Sequence, residues 1–327
     1  MRLRTFGGDA FKVSEIGLGT WQLGGDWGGI DDATSQATLE AADDSGVNMF
    51  DTADVYGGGT SERRVGRFLK RHPGRIFVAT KLGRRGDPGG ASNFTLETMR
   101  KHTEDSLRNL QVDALDLTQL HCVPTETLRE GAVFDHLRTL QSEGKIRRWG
   151  ASIESMEEAQ ICLAQDGLAS LQIIFSIFRQ KPIDTLFAGA KAKGVALIVR
   201  LPLASGLLAG KYTKDTRFEA SDHRTYNRDG QAFNVGETFA GLPFEKGVEL
   251  ADALRGLVPD GMSMARFALR WILDHDAVSV IIPGAKNPAQ ARENAVASDL
   301  SPIPAALHES LREFYREKVH EHIRGPY

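Results

Sequence analysis

The sequence predicts an α/β protein: a (β/α)8 TIM barrel with an N-terminal β-hairpin and a long loop after strand 7. Eight short apolar runs alternate with amphipathic segments along the 327 residues, and polar side chains end three consecutive runs. Alternating strands and helices are typical of a parallel sheet with helical crossovers. Eight repeats favour a closed barrel over an open, doubly wound sheet. We therefore expect residues 1–327 to form a single barrel domain.

The strands and helices follow from residue type and apolar spacing. Runs rich in β-branched and other apolar residues, bounded by Gly, Pro, Asp or Asn, indicate strands. These strands are expected at Ile16–Leu18, Val47–Asp51, Ile76–Lys81, Leu115–His121, Ile146–Ser152, Leu171–Phe175, Val195–Leu201 and Val278–Ile282. Apolar spacing of three and four predicts helices over Leu96–Leu110, Thr127–Glu143, Ser155–Ala164 and Pro288–Ala297. Asn93 or Thr95 is expected to cap the first helix.

Two segments lie outside this repeat. Residues 1–13 are expected to form a hairpin that turns at Gly7-Gly8 or Asp9 and plugs the bottom of the barrel. Ser205–Pro243 is polar, contains glycine and follows the seventh strand. A loop of that length in a compact domain is usually a lid or a binding loop.

Composition argues against several classes of function. The formal net charge is −3 and the pI about 6.3, which gives no electrostatic reason to expect nucleic acid or acidic membranes as partners. The two cysteines, Cys122 and Cys162, form no metal-binding motif. The N-terminus lacks the apolar segment of a signal peptide, and no apolar run has a spanning length. We expect a cytoplasmic protein, monomeric by default.

Polar residues gather where the predicted strands end. Asp51, Lys81 and His121 end the second, third and fourth runs, and Tyr56 follows Asp51 by five residues. The carboxyl ends of barrel strands meet at one mouth, where active sites lie. Taken singly, each residue has an ordinary structural role in capping, solvation or packing. Their joint placement at one mouth is hard to attribute to capping, so we expect a catalytic centre.

These residue types suit proton donation to a carbonyl. A free phenol has a pKa of about 10, which a neighbouring lysine cation lowers. Asp51 can hold Lys81 in place, and a neutral His121 can donate a hydrogen bond to the substrate oxygen. The carbonyl carbon must also receive a hydride, which no side chain carries, so a cofactor is required.

Several stretches resemble the motifs of the aldo-keto reductase superfamily and follow the family's order. They are GLGTW (17–21), FDTADVYGGGTSE (50–62), VATKLG (78–83), DLTQLH (116–121), LQIIFSIFRQ (171–180), PLASGLLAGKY (202–212) and VIIPGAKNPAQARENA (280–295). More closely, the chain is similar to bacterial members with a long loop after strand seven, here of the type DHRTYNRDGQAF (222–233). The resemblance implies reduction of a small-molecule carbonyl substrate with NADPH, with NADH as the alternative cofactor.

The resemblance also implies roles for individual residues. Tyr56 matches the general acid, Lys81 and Asp51 its activating pair, and His121 the residue that orients the carbonyl. The matching cofactor residues are Thr20 and Trp21 near the nicotinamide ribose, Ser152 and Gln172 at the carboxamide, Leu203, Ser205 and Lys211 along the phosphates, and Gly284, Ala285, Lys286, Gln290 and Asn294 at the adenosine end.

Three positions depart from the family's pattern. Ile153 follows Ser152 where many members have asparagine, and Gln290 stands where many have arginine, so Lys286 is left to meet a 2′-phosphate. Arg200 stands where an aromatic ring usually stacks on the nicotinamide. A guanidinium is planar and can also stack, and its charge disfavours the oxidised, cationic ring. We expect Arg200 to favour the reduced cofactor; alternatively, it points outward and pairs with a carboxylate.

Three other functions remain open at this point. Lys81 can act as the Schiff-base nucleophile of a lyase. The chain can be a non-enzymatic NADPH-binding sensor or regulatory subunit, since some members of the superfamily keep their catalytic residues in that role. Asp51, Asp54 and His121 can in principle bind zinc in a hydrolase.

Overall fold

The structure, a computed structural model, describes residues 1–25 and 27–327. Its strands are β1 (Leu3–Thr5), β2 (Lys12–Ser14), β3 (Leu18–Gly19), β4 (Met49–Asp51), β5 (Phe77–Leu82), β6 (Leu117–His121), β7 (Trp149–Ser152), β8 (Leu168–Ile174), β9 (Ala196–Arg200) and β10 (Val278–Ile281). Its α-helices are α1 (Asp32–Asp44), α2 (Thr60–Arg71), α3 (Leu96–Leu110), α4 (Thr125–Glu130), α5 (Ala132–Ser142), α6 (Met156–Leu163), α7 (Pro182–Thr185), α8 (Phe187–Ala192), α9 (His223–Tyr226), α10 (Phe244–Leu254), α11 (Met264–Leu273), α12 (Pro288–Ala295) and α13 (Ala305–Phe314).

Strands β3 to β10 form a parallel sheet in which sequential strands are neighbours. The first and last strands meet through parallel bridges that join Ile16 to Ile281 and Gly19 to Gly284. The Gly17 amide donates to the Ile281 carbonyl oxygen at 2.7 Å, which adds a hydrogen bond to this seam. The predicted eight-stranded barrel is therefore confirmed, with strand ends within a few residues of those expected.

The N-terminal hairpin plugs one end of the barrel, as predicted. β1 and β2 pair antiparallel, with Thr5 opposite Lys12. Phe6 is 1% exposed and packs in a cluster that includes inward-facing barrel residues such as Met49 and Leu117. At the turn, Gly7 has a φ of +60°, a left-handed conformation in which glycine is favoured. The hairpin thus seals the end of the barrel opposite the carboxyl ends of the strands.

The helices mostly agree with the predicted spacing, with one correction. α3 has the predicted bounds, and the Thr95 side chain caps it by accepting from the Thr98 amide at 3.2 Å. A single helix was predicted over Thr127–Glu143. The structure has two helices there, α4 and α5, because Gly131 interrupts the helical conformation. Gly131 has a φ of +83°, which a regular helix cannot accommodate. The apolar spacing continues across Gly131, so the spacing alone could not predict that the helix ends there.

The long loop after the seventh barrel strand runs from residue 201 to residue 243, between β9 and α10. It contains α9 and short 3-10 turns at Ala204–Ala209, Val235–Glu237 and Phe239–Gly241. Two arginines outside the loop bind its later part. Arg179 donates to the Ala240 carbonyl oxygen at 3.4 Å, and Arg324 donates to the Gly241 carbonyl oxygen at 3.0 Å. The loop is therefore bonded to the body of the protein.

Across residues 1–25 and 27–327, each helix is too short or too polar to cross a bilayer.

Candidate active site

The predicted catalytic residues meet at the carboxyl ends of three adjacent strands. Asp51 is the last residue of β4, Lys81 lies near the end of β5, and His121 is the last residue of β6. Parallel pairing places these ends at one mouth. Tyr56 lies in the loop between β4 and α2 and packs closely on Gly24, where an added Cβ would lie 2.7 Å from the Tyr56 backbone. The structure thus brings all four residues together.

Lys81 is the centre of the group. Its ammonium nitrogen lies 2.6 Å from Asp51 Oδ1, 2.8 Å from the Thr52 carbonyl oxygen and 3.2 Å from Tyr56 Oη. An ammonium has three N–H donors, so these three acceptors use all of them. The Tyr56 and His121 rings meet edge-on, with centroids 6.0 Å apart. Lys81 therefore serves as a fixed cation beside the phenol.

This environment argues against a lyase that uses Lys81 as nucleophile. Burial lowers the pKa of Lys81, but Asp51 and Tyr56 outweigh it and raise the pKa above its ordinary value of 10.5. A Schiff-base lysine must lose its proton to attack a carbonyl. The site does the opposite, because it holds the proton on Lys81.

The phenol and the imidazole both keep their neutral forms near neutral pH. Burial raises the pKa of Tyr56 above its ordinary 10.0, and although Lys81 lowers it, the net shift is upward. The expected effect of the lysine is present, but burial exceeds it. Burial, together with Arg84, Lys81 and Arg200, brings the pKa of His121 well below 6.5. Tyr56 therefore has a proton to give, and His121 is neutral.

Two glutamines complete the surroundings of Asp51. Gln172 Nε2 donates to Asp51 Oδ2 at 2.7 Å, and Gln119 Nε2 lies 3.4 Å from the same oxygen. Gln172 was expected to hold a cofactor carboxamide. Its hydrogen bond connects this predicted binding residue to the predicted catalytic residue Asp51. Gln119 was missed, although it precedes His121 by two residues and a strand's two-residue period places both on one face.

A cavity of about 530 Å³ opens from this group. Its size lies in the range usual for cofactor and ligand sites. Every predicted site residue lines it except Lys81, which lies behind Tyr56, and Ala285, which is buried in the core. The predicted lining residues are Thr20, Trp21, Asp51, Tyr56, His121, Ser152, Gln172, Arg200, Leu203, Ser205, Lys211, Gly284, Lys286, Gln290 and Asn294.

Another part of the cavity wall is built on the turn before α12 and on the start of this helix. Asn287 caps this helix, accepting from the Gln290 amide at 2.9 Å. Gln290 Oε1 in turn accepts from the Lys286 amide at 2.8 Å, and Lys286 Nζ donates to the Trp27 carbonyl oxygen. An added Cβ at Gly284 would collide with the terminal amide of Gln22, so the Gln22 side chain lies directly against this turn. The turn therefore holds a lysine cation at the cavity wall.

The donors that line the cavity suit a nicotinamide dinucleotide. The hydroxyl of Ser152 and the amide of Gln172 lie at the wall beside the catalytic group, and Thr20 lines the same wall with its hydroxyl donated to a backbone carbonyl oxygen. The cations of Lys211 and Lys286 line other parts of the wall. Hydroxyl and amide groups pair with ribose and carboxamide, and ammonium groups pair with phosphates. The residues present therefore fit the cofactor that the sequence implies.

Two alternatives were considered for Arg200: that it lies at the cofactor site, or that it points outward and pairs with a carboxylate. It is 9% exposed and lines the cavity. Its Nη2 donates to the Ile153 carbonyl oxygen at 3.2 Å, and its Nη1 lies 3.7 Å from Glu237 Oε1. Arg200 therefore faces the site and pairs with a carboxylate there, and does not point outward.

Sequence reasoning missed two charged residues of the long loop. Arg224 and Glu237 both line the cavity. Arg224 is held by Asp222, with Nε 2.9 Å from Oδ1, and lies 4.8 Å from the centre of the Trp27 ring. The loop that contains Arg224 was expected to be a lid or a binding loop, but its sequence does not show which of its residues fold onto the cavity.

The predicted zinc alternative does not fit the geometry. Asp51 is ion-paired with the ammonium of Lys81, and Asp54 Oδ2 lies 2.9 Å from Arg85 Nε. Burial raises the pKa of Asp54 to about 7, which makes it a poorer ligand at neutral pH. A metal would have to displace a cation from each carboxylate before it could use His121.

Comparison with known proteins agrees with this geometry. Residues 15–316 match the Aldo/keto reductase family. The chain is 32% identical over 295 residues to aldo-keto reductase YhdN of Bacillus subtilis, covering 85% of this chain and 83% of the relative. It is 30% identical over 320 residues to the NADH-specific methylglyoxal reductase of Escherichia coli, covering 92% and 95%. The solved structure of a glycerol dehydrogenase from Gluconobacter oxydans superimposes with a TM-score of 0.78 at 30% identity, covering 99% of this chain and 97% of that one.

Proposed function

The chain belongs to the aldo/keto reductase family, and we propose that it reduces an aldehyde or ketone with NADPH as hydride donor and Tyr56 as general acid. One observation carries the proposal. Lys81 donates hydrogen bonds to both Asp51 and Tyr56 at the wall of a cavity that has the size and the polar lining of a dinucleotide site. This arrangement supplies a proton at one atom, Tyr56 Oη.

The chain's own residues manage the proton. NADPH bound in the cavity would supply the hydride that reaches the carbonyl carbon. Tyr56 Oη donates its proton to the carbonyl oxygen, so that the C=O bond becomes CH–OH. Lys81 stabilises the phenolate that remains, and Asp51 keeps Lys81 in place. His121 is neutral and orients the carbonyl oxygen by donating a hydrogen bond.

The titrations of Tyr56 and His121 predict a broad plateau in the pH profile. Reduction needs a protonated phenol and a neutral imidazole. We expect kcat/KM to fall as pH drops through the pKa of His121, well below 6.5, and as pH rises through that of Tyr56, above 10.0. A profile of kcat/KM against pH reports these groups in the free enzyme. A break between those two values that vanishes in Tyr56→Phe would contradict the assignment.

Lys286 is the proposed contact for the 2′-phosphate, which separates NADPH from NADH. Within residues 1–25 and 27–327, the one hydrogen bond of its Nζ goes to the Trp27 carbonyl oxygen, and the residue lines the cavity. Losing a charge-assisted hydrogen bond costs about 1.5–3 kcal/mol, so Lys286→Ala should weaken NADPH binding roughly 10- to 100-fold. NADH binding should change much less. Fluorescence titrations with both cofactors measure this.

The matched control is Lys191→Ala. Lys191 is an exposed lysine whose Nζ contacts Asp276, and it does not line the cavity. Its removal should leave both cofactor affinities as they are. If Lys286→Ala weakens NADPH and NADH to the same degree, the 2′-phosphate assignment is wrong and NADH becomes the better candidate, as in the Escherichia coli relative.

A carbonyl screen then tests turnover. The panel should contain methylglyoxal, with glycerol oxidation as the reverse assay, because two relatives are named for these compounds. Turnover that depends on Tyr56 supports the proposal. Tight NADPH binding without turnover across the panel would instead favour a cofactor sensor. Binding of no nicotinamide nucleotide would refute both.

A further inference from the structure

A buried carboxylate from the long loop reaches the cavity wall. Glu237 is 6% exposed and ends the 3-10 turn Val235–Glu237. Its Oε1 lies 3.2 Å from Arg84 Nη1, 3.7 Å from Arg200 Nη1 and 3.5 Å from Cys122 Sγ. Arg200 ends β9, Cys122 directly follows β6, and Arg84 lies two residues after β5. Glu237 therefore joins the loop to the barrel mouth at the residue expected beside the nicotinamide.

The backbone around Glu237 is tied to the same wall. Ser205 Oγ donates to the Glu237 carbonyl oxygen at 3.4 Å and accepts from the Phe239 amide at 3.1 Å. Ser205 has a φ of 55°, a left-handed conformation that a residue with a side chain rarely adopts. Such a conformation persists where the surroundings hold it. Both the side chain and the backbone of Glu237 thus fix cavity-lining residues.

The charges of this cluster are well defined. Burial raises the pKa of Glu237, but Arg200 and Arg84 outweigh it and lower the pKa to about 2. Burial and the neighbouring Glu237 raise the pKa of Glu154 to about 7, so Glu154 is protonated in slightly acidic solution. Glu237 is then the negative charge beside two guanidinium groups.

A metal ion could in principle bind beside Glu237, but the two neighbouring arginines disfavour it. Ligand atoms of Cys122, Glu154 and Glu237 lie within 4.8 Å of one another. Arg84 and Arg200 already contact Glu237, and burial raises the pKa of Cys122 well above its ordinary 9.0. A divalent cation would face two guanidinium groups and a thiol that keeps its proton. The cluster is built as an ion-pair network.

We propose that Glu237 is a positioning residue that holds Arg200 at the nicotinamide end of the cavity and offsets part of its charge, and so sets the preference for reduced over oxidised cofactor. This rests on the proposed function, in which the cavity holds NADPH. The oxidised ring is cationic and the reduced ring is neutral. Arg200 repels the oxidised form, whereas Glu237 attracts it, and neither charge acts strongly on the reduced ring.

The test is the ratio of the dissociation constants of NADP+ and NADPH. Glu237→Gln keeps the shape and removes the charge, so Arg200 and Arg84 are both left uncompensated and should raise this ratio roughly tenfold. Arg200→Met should lower it by a similar factor. Glu154→Gln is the matched control, because at a pH below its pKa of about 7 it replaces a carboxyl that is already neutral. Titration calorimetry with each nucleotide gives both constants without any turnover.

The ratio separates positioning from packing. If Glu237 only packs the loop, Glu237→Gln weakens NADP+ and NADPH equally, and an unchanged ratio overturns the proposal. If that variant does not fold, Glu237→Gln with Arg200→Met removes both charges together, and its ratio should exceed that of Arg200→Met alone. Equal ratios in those two proteins overturn it as well. Wild-type protein that binds neither nucleotide would instead refute the proposed function.

Discussion

Replacing Tyr56 with phenylalanine is expected to lower kcat for carbonyl reduction by about 100- to 10,000-fold, the usual contribution of general acid catalysis. The change removes one oxygen, to which Lys81 donates at 3.2 Å, and keeps the ring that packs against His121. The remaining cavity donors are untouched, so the dissociation constant of NADPH should stay within about twofold of wild type. Steady-state kinetics and a fluorescence titration measure the two quantities separately.

Tyr226→Phe is the matched control for this experiment. Tyr226 lies in the long loop after β9, does not line the cavity and is 39% exposed. The loss of its hydroxyl should leave kcat within about twofold, as is usual for surface substitutions. If Tyr56→Phe keeps a tenth or more of the wild-type kcat, another group donates the proton and Tyr56 is misassigned.

Replacing Lys81 with methionine is expected to have the largest effect on stability. Lys81 is 1% exposed and Asp51 is 3% exposed, so the change leaves a carboxylate buried without its cation. Breaking a buried ion pair by removing one partner costs about 3–5 kcal/mol. The free energy of unfolding, measured by urea denaturation with tryptophan fluorescence, should fall by that amount. The kcat for carbonyl reduction should also fall, since the Tyr56 phenolate loses the charge of Lys81 that stabilises it.

A double variant identifies the cause. Asp51→Asn together with Lys81→Met removes both charges, so the double variant should be more stable than the sum of the two single losses predicts. Lys191→Met serves as the surface control and should cost less than about 1 kcal/mol, because exposed pairs contribute little. Strict additivity of the two buried substitutions would show that Lys81 and Asp51 do not act as a pair.

The amino-acid sequence by itself determined the order of the elements and the location of the site. Apolar periodicity is a local property, so the barrel strands and α3 could be predicted from it to within a few residues. The mouth followed from topology alone, because parallel strands bring their carboxyl ends together. Asp51, Lys81 and His121 end neighbouring strands and therefore had to meet there.

Only the tertiary structure decided which partners these side chains take. Gln172 bonds to Asp51 across 121 residues of sequence, and Arg84 pairs with Glu237 across 153. Such contacts depend on how loops fold over the mouth and on side-chain rotamers, which periodicity does not encode. Burial is likewise a property of the whole fold, and it turned the expected fall in the pKa of Tyr56 into a rise. A local sequence pattern specifies which residues reach the site, whereas the surrounding packing specifies their charge and their bonds.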